Sequence, residues 1–445
     1  MITRSRILIA LLALVIIAGG VAWFIRGPGP LDFAGGTPVA LADYKAANPT
    51  GVPASLAHDS LIERGAYLAR AADCLACHSK PGGQDYAGGL GFKLPFGTLY
   101  STNITPDKDN GIGNYSDAEF INAVRRGVRR DGAMLYPAMP YTSYSYLTDA
   151  DTLAIKAYLF SLPAVHPQPP ANSLAFPFNQ RWAMWFWATM FNRDTRFAPD
   201  SSKSPEWNRG AYLAEALAHC GECHTPRNLA FAVDNRQKFA GAMTAGWHAF
   251  NITSDKGSGI GGWSDADLAS YLADGHAADH GTASGPMGEA VDRSFSWMTG
   301  DDIKSLVAYL RTVPAVASGD QPGPARPAPA SHKSGGGNNP HGKQIFEGAC
   351  VSCHGWSGES PVSPMATLTG AAAVSDHSGT NVVQIVLSGT RRLTPAGALS
   401  MPAFGNAYSD DEIAAVANYV ASRFGAEGAA VTAKDVAKLR EEASE

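Results

Sequence analysis

Apolar residues along this chain fall into a helical rhythm that recurs around residues 65, 210 and 342. Each recurrence starts with a predicted helix. Ser60 with Glu63 reads as a capping box, Ser204-Pro205 as a cap followed by proline at the first helical position, and Asn339-Pro340 likewise. Each helix carries an early glycine (Gly65, Gly210, Gly342) and apolar neighbours: Tyr67 and Leu68, Tyr212 and Leu213, Ile345 and Phe346. A second helix closes each copy, its start marked by Thr148/Asp151, Thr299/Asp302 and Ser409/Glu412 at capping-box spacing. Tyr158, Tyr309 and Tyr419 sit at matching places in these closing helices, followed on the apolar side by Leu159, Leu310 and Val420. The closing helix is expected to cross the opening one where the glycine permits close approach, with the tyrosines as core packing.

The first two copies resemble each other more than the third. Ser101-Thr-Asn-Ile-Thr-Pro-Asp is echoed by Phe250-Asn-Ile-Thr-Ser-Asp, and both are followed by Gly-Ile-Gly and then Tyr115-Ser-Asp or Trp263-Ser-Asp. A duplication accounts for this. The predicted architecture is mainly α: an N-terminal signal or membrane anchor (1–30), a first domain (59–170), a Trp-rich connector (171–204), a second domain (205–318), a flexible linker (319–340), a third domain (341–425) and a C-terminal tail (426–445).

Two compositional facts narrow the picture. A net charge of −5 with no Lys/Arg-rich run gives no field for nucleic acid, and that class is dropped. Arg4 and Arg6 precede an uncharged apolar run from Ile7 to Phe24, the charge order of an export signal. Ala18-Gly19-Gly20 offers a small-residue cleavage site, but Trp23, Phe24 and Arg26 suit an interfacial anchor, so a retained transmembrane helix is favoured.

The candidate chemistry lies just after each opening helix. Cys74-Leu-Ala-Cys77-His78, Cys220-Gly-Glu-Cys223-His224 and Cys350-Val-Ser-Cys353-His354 are three Cys-x-x-Cys-His pentapeptides. Two thiols one helical turn apart bond the vinyl-derived carbons of haem, and the adjacent histidine turns inward as iron ligand. Zinc or a redox dithiol is the competing reading, but zinc wants further Cys or His at repeated spacing. All six cysteines are consumed by these motifs. Three covalently bound haem c groups, in three cytochrome c-like domains, are therefore expected.

Methionine is the expected sixth ligand, its soft thioether suiting low-spin iron. Met139 in Tyr136-Pro-Ala-Met-Pro and Met401 in Ser400-Met-Pro-Ala-Phe each stand in an extended Met-Pro loop before the closing helix, and Met287 in Gly285-Pro-Met-Gly is the second-domain equivalent. Met298 precedes its helix cap as Leu147 and Tyr408 do, and reads as a hydrophobic staple. Met134, Met243 and Met365 read as packing or surface residues. Asn103, Asn251, Arg125, Arg126 and Trp247 are possible partners of haem propionates, with a structural role the favoured reading for each. His58, His166, His219, His248, His276, His280 and His377 are not repeated and read as ordinary residues. The aromatic run from Arg181 to Phe191 suits a membrane or partner surface and a buried strut equally.

From about Leu61 to Phe424 the chain resembles the tri-haem cytochrome c subunit of the membrane-bound dehydrogenases of acetic acid bacteria, the group serving alcohol, aldehyde and gluconate-type enzymes. The resemblance rests on Arg64-Gly-Ala-Tyr-Leu-Ala-Arg, Ser101-Thr-Asn-Ile-Thr-Pro-Asp, Gly111-Ile-Gly, Asp131-Gly-Ala and Tyr136-Pro-Ala-Met-Pro-Tyr141. Gly285-Pro-Met matches the family's axial-methionine loop, which supports Met287. The resemblance implies a partner catalytic dehydrogenase subunit that oxidises the substrate, and electron transfer through the haems to ubiquinone at the periplasmic side of the cytoplasmic membrane. An anchored amino terminus departs from the alcohol-type subunit and leans towards the aldehyde type. A self-contained haem enzyme such as a peroxidase needs an iron with an open position, against which the placed methionines argue; a free-standing shuttle is the other alternative. No nucleotide motif or nucleophile–base pair appears, so no catalytic residue is expected.

Overall fold

The computed structural model describes residues 4–32, 50–318, 339–394, 397–425 and 429–443. It is mainly helical, with short antiparallel hairpins between helices. In each repeat the opening helix packs on the closing helix: Leu61–Ala71 on Asp149–Ser161, Pro205–Tyr212 on Gly300–Leu310, and Pro340–Ala349 on Asp410–Phe424. The crossing points are the glycines named above. A Cβ on Gly65 would collide with the Ala154 carbonyl, on Gly210 with that of Ser305, and on Gly342 with that of Ala415. In all three the next neighbour is the Cβ of the repeated tyrosine, Tyr158, Tyr309 or Tyr419.

The caps divide into two kinds. Ser60/Glu63 and Ser409/Glu412 form complete boxes, side chain and backbone bonded both ways. Thr148 and Thr299 accept only the Asp151 and Asp302 amides, because those aspartates turn their carboxylates into the neighbouring domain. Tyr67 Oη donates to Asp302 Oδ2 at 2.6 Å, and Tyr212 Oη donates to Asp151 Oδ2 at 2.5 Å. Arg209 adds a buried bidentate pair to Asp302 at 2.8 and 2.7 Å. Around this exchange the first two domains share one hydrophobic core, running from Leu68 and Leu159 to Leu213 and Leu306.

The third domain keeps its own core around Phe346, Val383 and Ile413. The stretch expected as a tail contributes to it. Residues Ala433–Ala443 form a helix whose Val436 and Leu439, three apart on one face, are buried against that core. Most of the expected linker, 319–338, lies outside the described residues.

At the amino terminus Arg4–Arg26 is helical and ends at Gly27, whose φ is +65°. Its last carbonyls accept from Arg236 (Phe24 O, 2.8 Å), Asn228 (Ile25 O, 3.1 Å) and Arg193 (Gly27 O, 3.0 Å), so cationic side chains sit at its negative end. Ile9, Leu12, Val15 and Trp23 are exposed. Among the described residues no helix is long and apolar enough to cross a membrane; the side chains of residues 4–8 and 10 fall outside the description. The expected membrane-crossing anchor is thus not supported by this measure, while the exposed apolar helix is present.

The aromatic connector forms the helix Ala183–Phe191 and resolves its two readings by face. Trp187 and Met184 pack on Met134 and Tyr141, whereas Trp182 and Phe186 are 64 and 71 % exposed.

Candidate functional site

Each Cys-x-x-Cys-His folds as one short helical turn after its opening helix: Cys74–His78, Gly221–His224 behind Cys220, and Val351–His354 behind Cys350. Cysteines three apart on such a turn face the same way. The second opening helix reaches its motif through a π-turn, Leu213–Leu217.

The three histidines are held alike. Nδ1 of His78 lies 2.7 Å from the Thr102 carbonyl, Nδ1 of His224 lies 2.6 Å from that of Phe250, and Nδ1 of His354 lies 2.6 Å from that of Ala366. A carbonyl only accepts, so Nδ1 carries the proton and Nε2 keeps a free lone pair. Burial also pushes each imidazole's pKa below its ordinary value, against the pull of the carbonyl, which favours the neutral, ligating form. The donor set fits haem c: a neutral imidazole with Nε2 available, beside two thiols on one turn.

The repeated Asn-Ile-Thr motif supplies those carbonyls. Hairpins Gly91–Leu94/Gly97–Tyr100 and Ala242–Thr244/Trp247–Ala249 lead directly into Thr102 and Phe250. The next residue in each case is the repeated asparagine. Asn103 accepts from the Thr105 amide at 2.8 Å and donates to Val165 O at 2.6 Å; Asn251 accepts from Thr253 at 2.8 Å and donates to Val316 O at 2.7 Å. Both asparagines therefore tie the histidine-holding loop to the chain leaving the closing helix. The third domain lacks this motif and uses the short turn Pro364–Ala366.

Burial raises the thiol pKa of Cys74 and Cys220 to about 12, and of Cys223 and Cys350 to about 11. Such thiols are poor thiolate ligands. Among the described residues no three His, Cys, Asp or Glu side chains converge as a metal-binding group.

The methionines occupy different settings. Met139 is partly buried in the loop before its closing helix, its carbonyl accepting from the Tyr141 amide at 2.7 Å. Met401 ends a hairpin strand, Gly397–Met401, paired with Thr390, where an open Met-Pro loop was expected. Met287 lies in the first turn of a helix, Gly285–Arg293, with Pro286 at the helix start, also unlike the expected loop. Both Met287 and Met298 are partly buried against the shared core. Met134 is buried and Met243 exposed.

Helix Gly285–Arg293 is where the domains meet. It packs on the first motif turn Cys74–His78, and its Gly288 carbonyl accepts from Arg392 Nη1 of the third domain at 2.6 Å. Arg392 also reaches Asp274 O at 3.2 Å and Asp292 at 3.1 Å. The first two motifs are bridged by Ser143 and Tyr144 of the first domain. Between them, Glu222 accepts from Ser143 Oγ at 2.9 Å and from Arg227 at 2.8 Å, and Tyr144 donates to Ala72 O at 2.6 Å while meeting the His219 ring edge-on. On the other side, His248 pairs with Asp376 at 2.9 Å, and Thr282 donates to Met365 O, next to the carbonyl that holds His354. His219 and His248, read as ordinary, are interface residues. Neither is repeated, and their partners lie far away in sequence.

The cytochrome c family model matches residues 62–163 and 341–423. The fructose dehydrogenase cytochrome subunit of Gluconobacter japonicus is 40 % identical over 416 residues, covering 88 % of this chain and 85 % of its own length. The gluconate 2-dehydrogenase cytochrome c subunit of Pantoea cypripedii is 39 % identical over 406 residues, covering 87 and 91 %. The alcohol dehydrogenase (quinone) cytochrome c subunit of Gluconobacter oxydans is 37 % identical over 400 residues, covering 86 and 83 %.

Proposed function

The chain belongs to the cytochrome c subunits of dehydrogenase complexes, and we propose that it binds three haem c groups and passes electrons from a partner catalytic subunit to ubiquinone at the periplasmic face of the cytoplasmic membrane. The carrying observation is the threefold repetition of one device: a Cys-x-x-Cys turn followed by a histidine whose Nδ1–H is tied to a carbonyl. Bound haem supplies the one-electron couple of its iron.

The protein's own residues do the rest. Cys74/Cys77, Cys220/Cys223 and Cys350/Cys353 would hold the porphyrins, and His78, His224 and His354 would offer Nε2 to the iron. Met139, Met287 and Met401 are the further proposed ligands. Thioether ligation would favour the reduced form and disfavour peroxide chemistry. The contacts of Ser143 and Tyr144 between the first two motifs, and the docking of the third domain beside Met365, support a relay over a solvent-borne shuttle.

Two features support the quinone and membrane parts. A small cleft opens between the base of the N-terminal helix, the aromatic connector and the second motif, lined by Arg26, Trp187, Phe191, Glu215, Glu222 and Lys238. The N-terminal helix and the exposed Trp182, Trp185 and Phe186 offer apolar surface for a bilayer on the same side of the molecule, where Arg236 stacks on Phe24. None of the three relatives named above serves an aldehyde dehydrogenase.

Mass spectrometry of the mature chain should find three attached porphyrins, and the pyridine haemochrome should be of c type. The purified chain alone should accept electrons yet turn over no alcohol, sugar or aldehyde. Turnover without a partner, or fewer than three porphyrins, refutes the proposal.

A further inference from the structure

Five residues after the crossing glycine, each copy places a charged residue in a different setting. The first domain has Arg70 there, over the Trp297 ring at 3.8 Å, and the third has Glu347, at the surface beside Lys343. The second has Glu215, on the π-turn, with a side chain 3 % exposed. Glu215 is ion-paired to Lys238, itself 5 % exposed, and accepts from Tyr309 Oη at 2.5 Å. A buried acid–base pair contributes little to stability, since both charges lose their water, and nothing in haem attachment requires it. Its position suits another task. A Cβ on Gly221, inside the Cys220–His224 turn, would stand 3.8 Å from Lys238 Nζ, and both side chains reach the cleft.

We infer that Glu215, with Lys238 and Tyr309, is a proton site linked to the redox state of the second haem domain. Glu215 takes up one proton from water in the cleft when the neighbouring iron gains one electron from the upstream dehydrogenase, and returns it when the electron leaves. Each step then adds or removes no net charge in a water-poor interior, where an added charge is felt at long range. Tyr146 is the other titratable group that senses Glu215, the Cys220 sulfur being a thioether once haem is attached, and Arg26, Arg193, Glu222 and Arg227 surround the cleft. Burial pushes the Glu215 carboxyl above its ordinary range against the opposing pull of Lys238 and Tyr309, which supports a group that gains a proton on a modest change in local charge. The inference rests on haem at Cys220, Cys223 and His224 and not on the quinone acceptor, so either reading can fail without the other.

Spectroelectrochemical titration of the full chain at a series of pH values tests it. One haem should show a midpoint potential that falls as pH rises, approaching one proton per electron, and Glu215→Gln should flatten that dependence while Arg70→Gln leaves it unchanged. Should Glu215→Gln fail to fold, Glu215→Gln/Lys238→Met removes the whole pair. A pH indicator in weak buffer should also register proton uptake when the unmodified chain is reduced, and less in the variant. PH-independent potentials in the unmodified chain, or a dependence that survives Glu215→Gln, overturns the inference.

Discussion

The two junctions in this molecule are built on opposite plans, and the third residue of the closing helix shows why. In the first two domains it is Asp151 and Asp302, and each carboxylate accepts a hydroxyl from the other domain's opening helix. The third domain has Glu412 there, and its carboxylate returns to its own cap, accepting from the Ser409 amide at 2.8 Å. The opposite partner differs in step: Tyr67 and Tyr212 in the duplicated pair, Gln344 in the third copy. One acidic position thus serves as a latch between two domains or as a cap within one. The latched pair shares a single core, whereas the third domain keeps its own and docks through side chains that meet backbone carbonyls, chiefly Arg392, Asn381 and Gln384.

The comparison breaks most readily at Asp302. Asp302→Ala removes the carboxylate from the buried Arg209, which keeps its bond to the Gly51 carbonyl, and should cost about 3–5 kcal/mol. Thermal unfolding should show the first two domains melting together at lower temperature, with the third domain's transition in place; separate melting of the first two would contradict the shared core.

Arg392→Ala should cost about 1.5–3 kcal/mol of docking, the range for hydrogen bonds to a charged group. Hydrogen exchange should quicken around Gly288 and Asp274 while the core helices keep their protection. Equal deprotection inside the Tyr67–Asp302 junction would show that the junctions are not independent.

Acid should release the third domain first. Burial opposes ionisation of Asp376, but its bonds to His248 and Ser378 prevail and hold its carboxyl below the usual range. A folded pKa below the unfolded value gives stability that is present above the unfolded pKa, about 3.9, and is lost as pH falls towards the folded one. Small-angle scattering should therefore show expansion below about pH 4, and Asp376→Asn should show it already at neutral pH. A compact Asp376→Asn protein would rule out this contact as the clasp.

The smallest effect separates cap from latch. Ser409→Ala should cost about 1 kcal/mol by removing one side of a surface cap. Thr299→Ala removes a cap of the other kind, a single amide bond with no return bond, but it also frees Asp302 to shift in the latch, so its cost should exceed that of Ser409→Ala. Equal losses would mean that the latch holds Asp302 without help from the cap.

Much of this was readable along the chain. The opening and closing helices, the glycine crossings and the Cys-x-x-Cys-His turns depend on residues within a few positions of each other. The apparent capping boxes at Thr148/Asp151 and Thr299/Asp302 misled because a buried tyrosine from another domain is a better partner for an aspartate than its own cap amide. The C-terminal helix was missed because its amphipathic face has meaning only where the third core lies open to receive it.

The amino-acid order by itself determined where the three Cys-x-x-Cys-His turns fall and which imidazole follows each pair of thiols, because thiol spacing on a helical turn is a local property. Tertiary structure alone decided which carbonyl sets each histidine's tautomer, which aspartate became a latch and which glutamate was buried. Those outcomes join groups as far apart as Tyr67 and Asp302, separated by 235 positions, and only packing brings such groups within hydrogen-bond range.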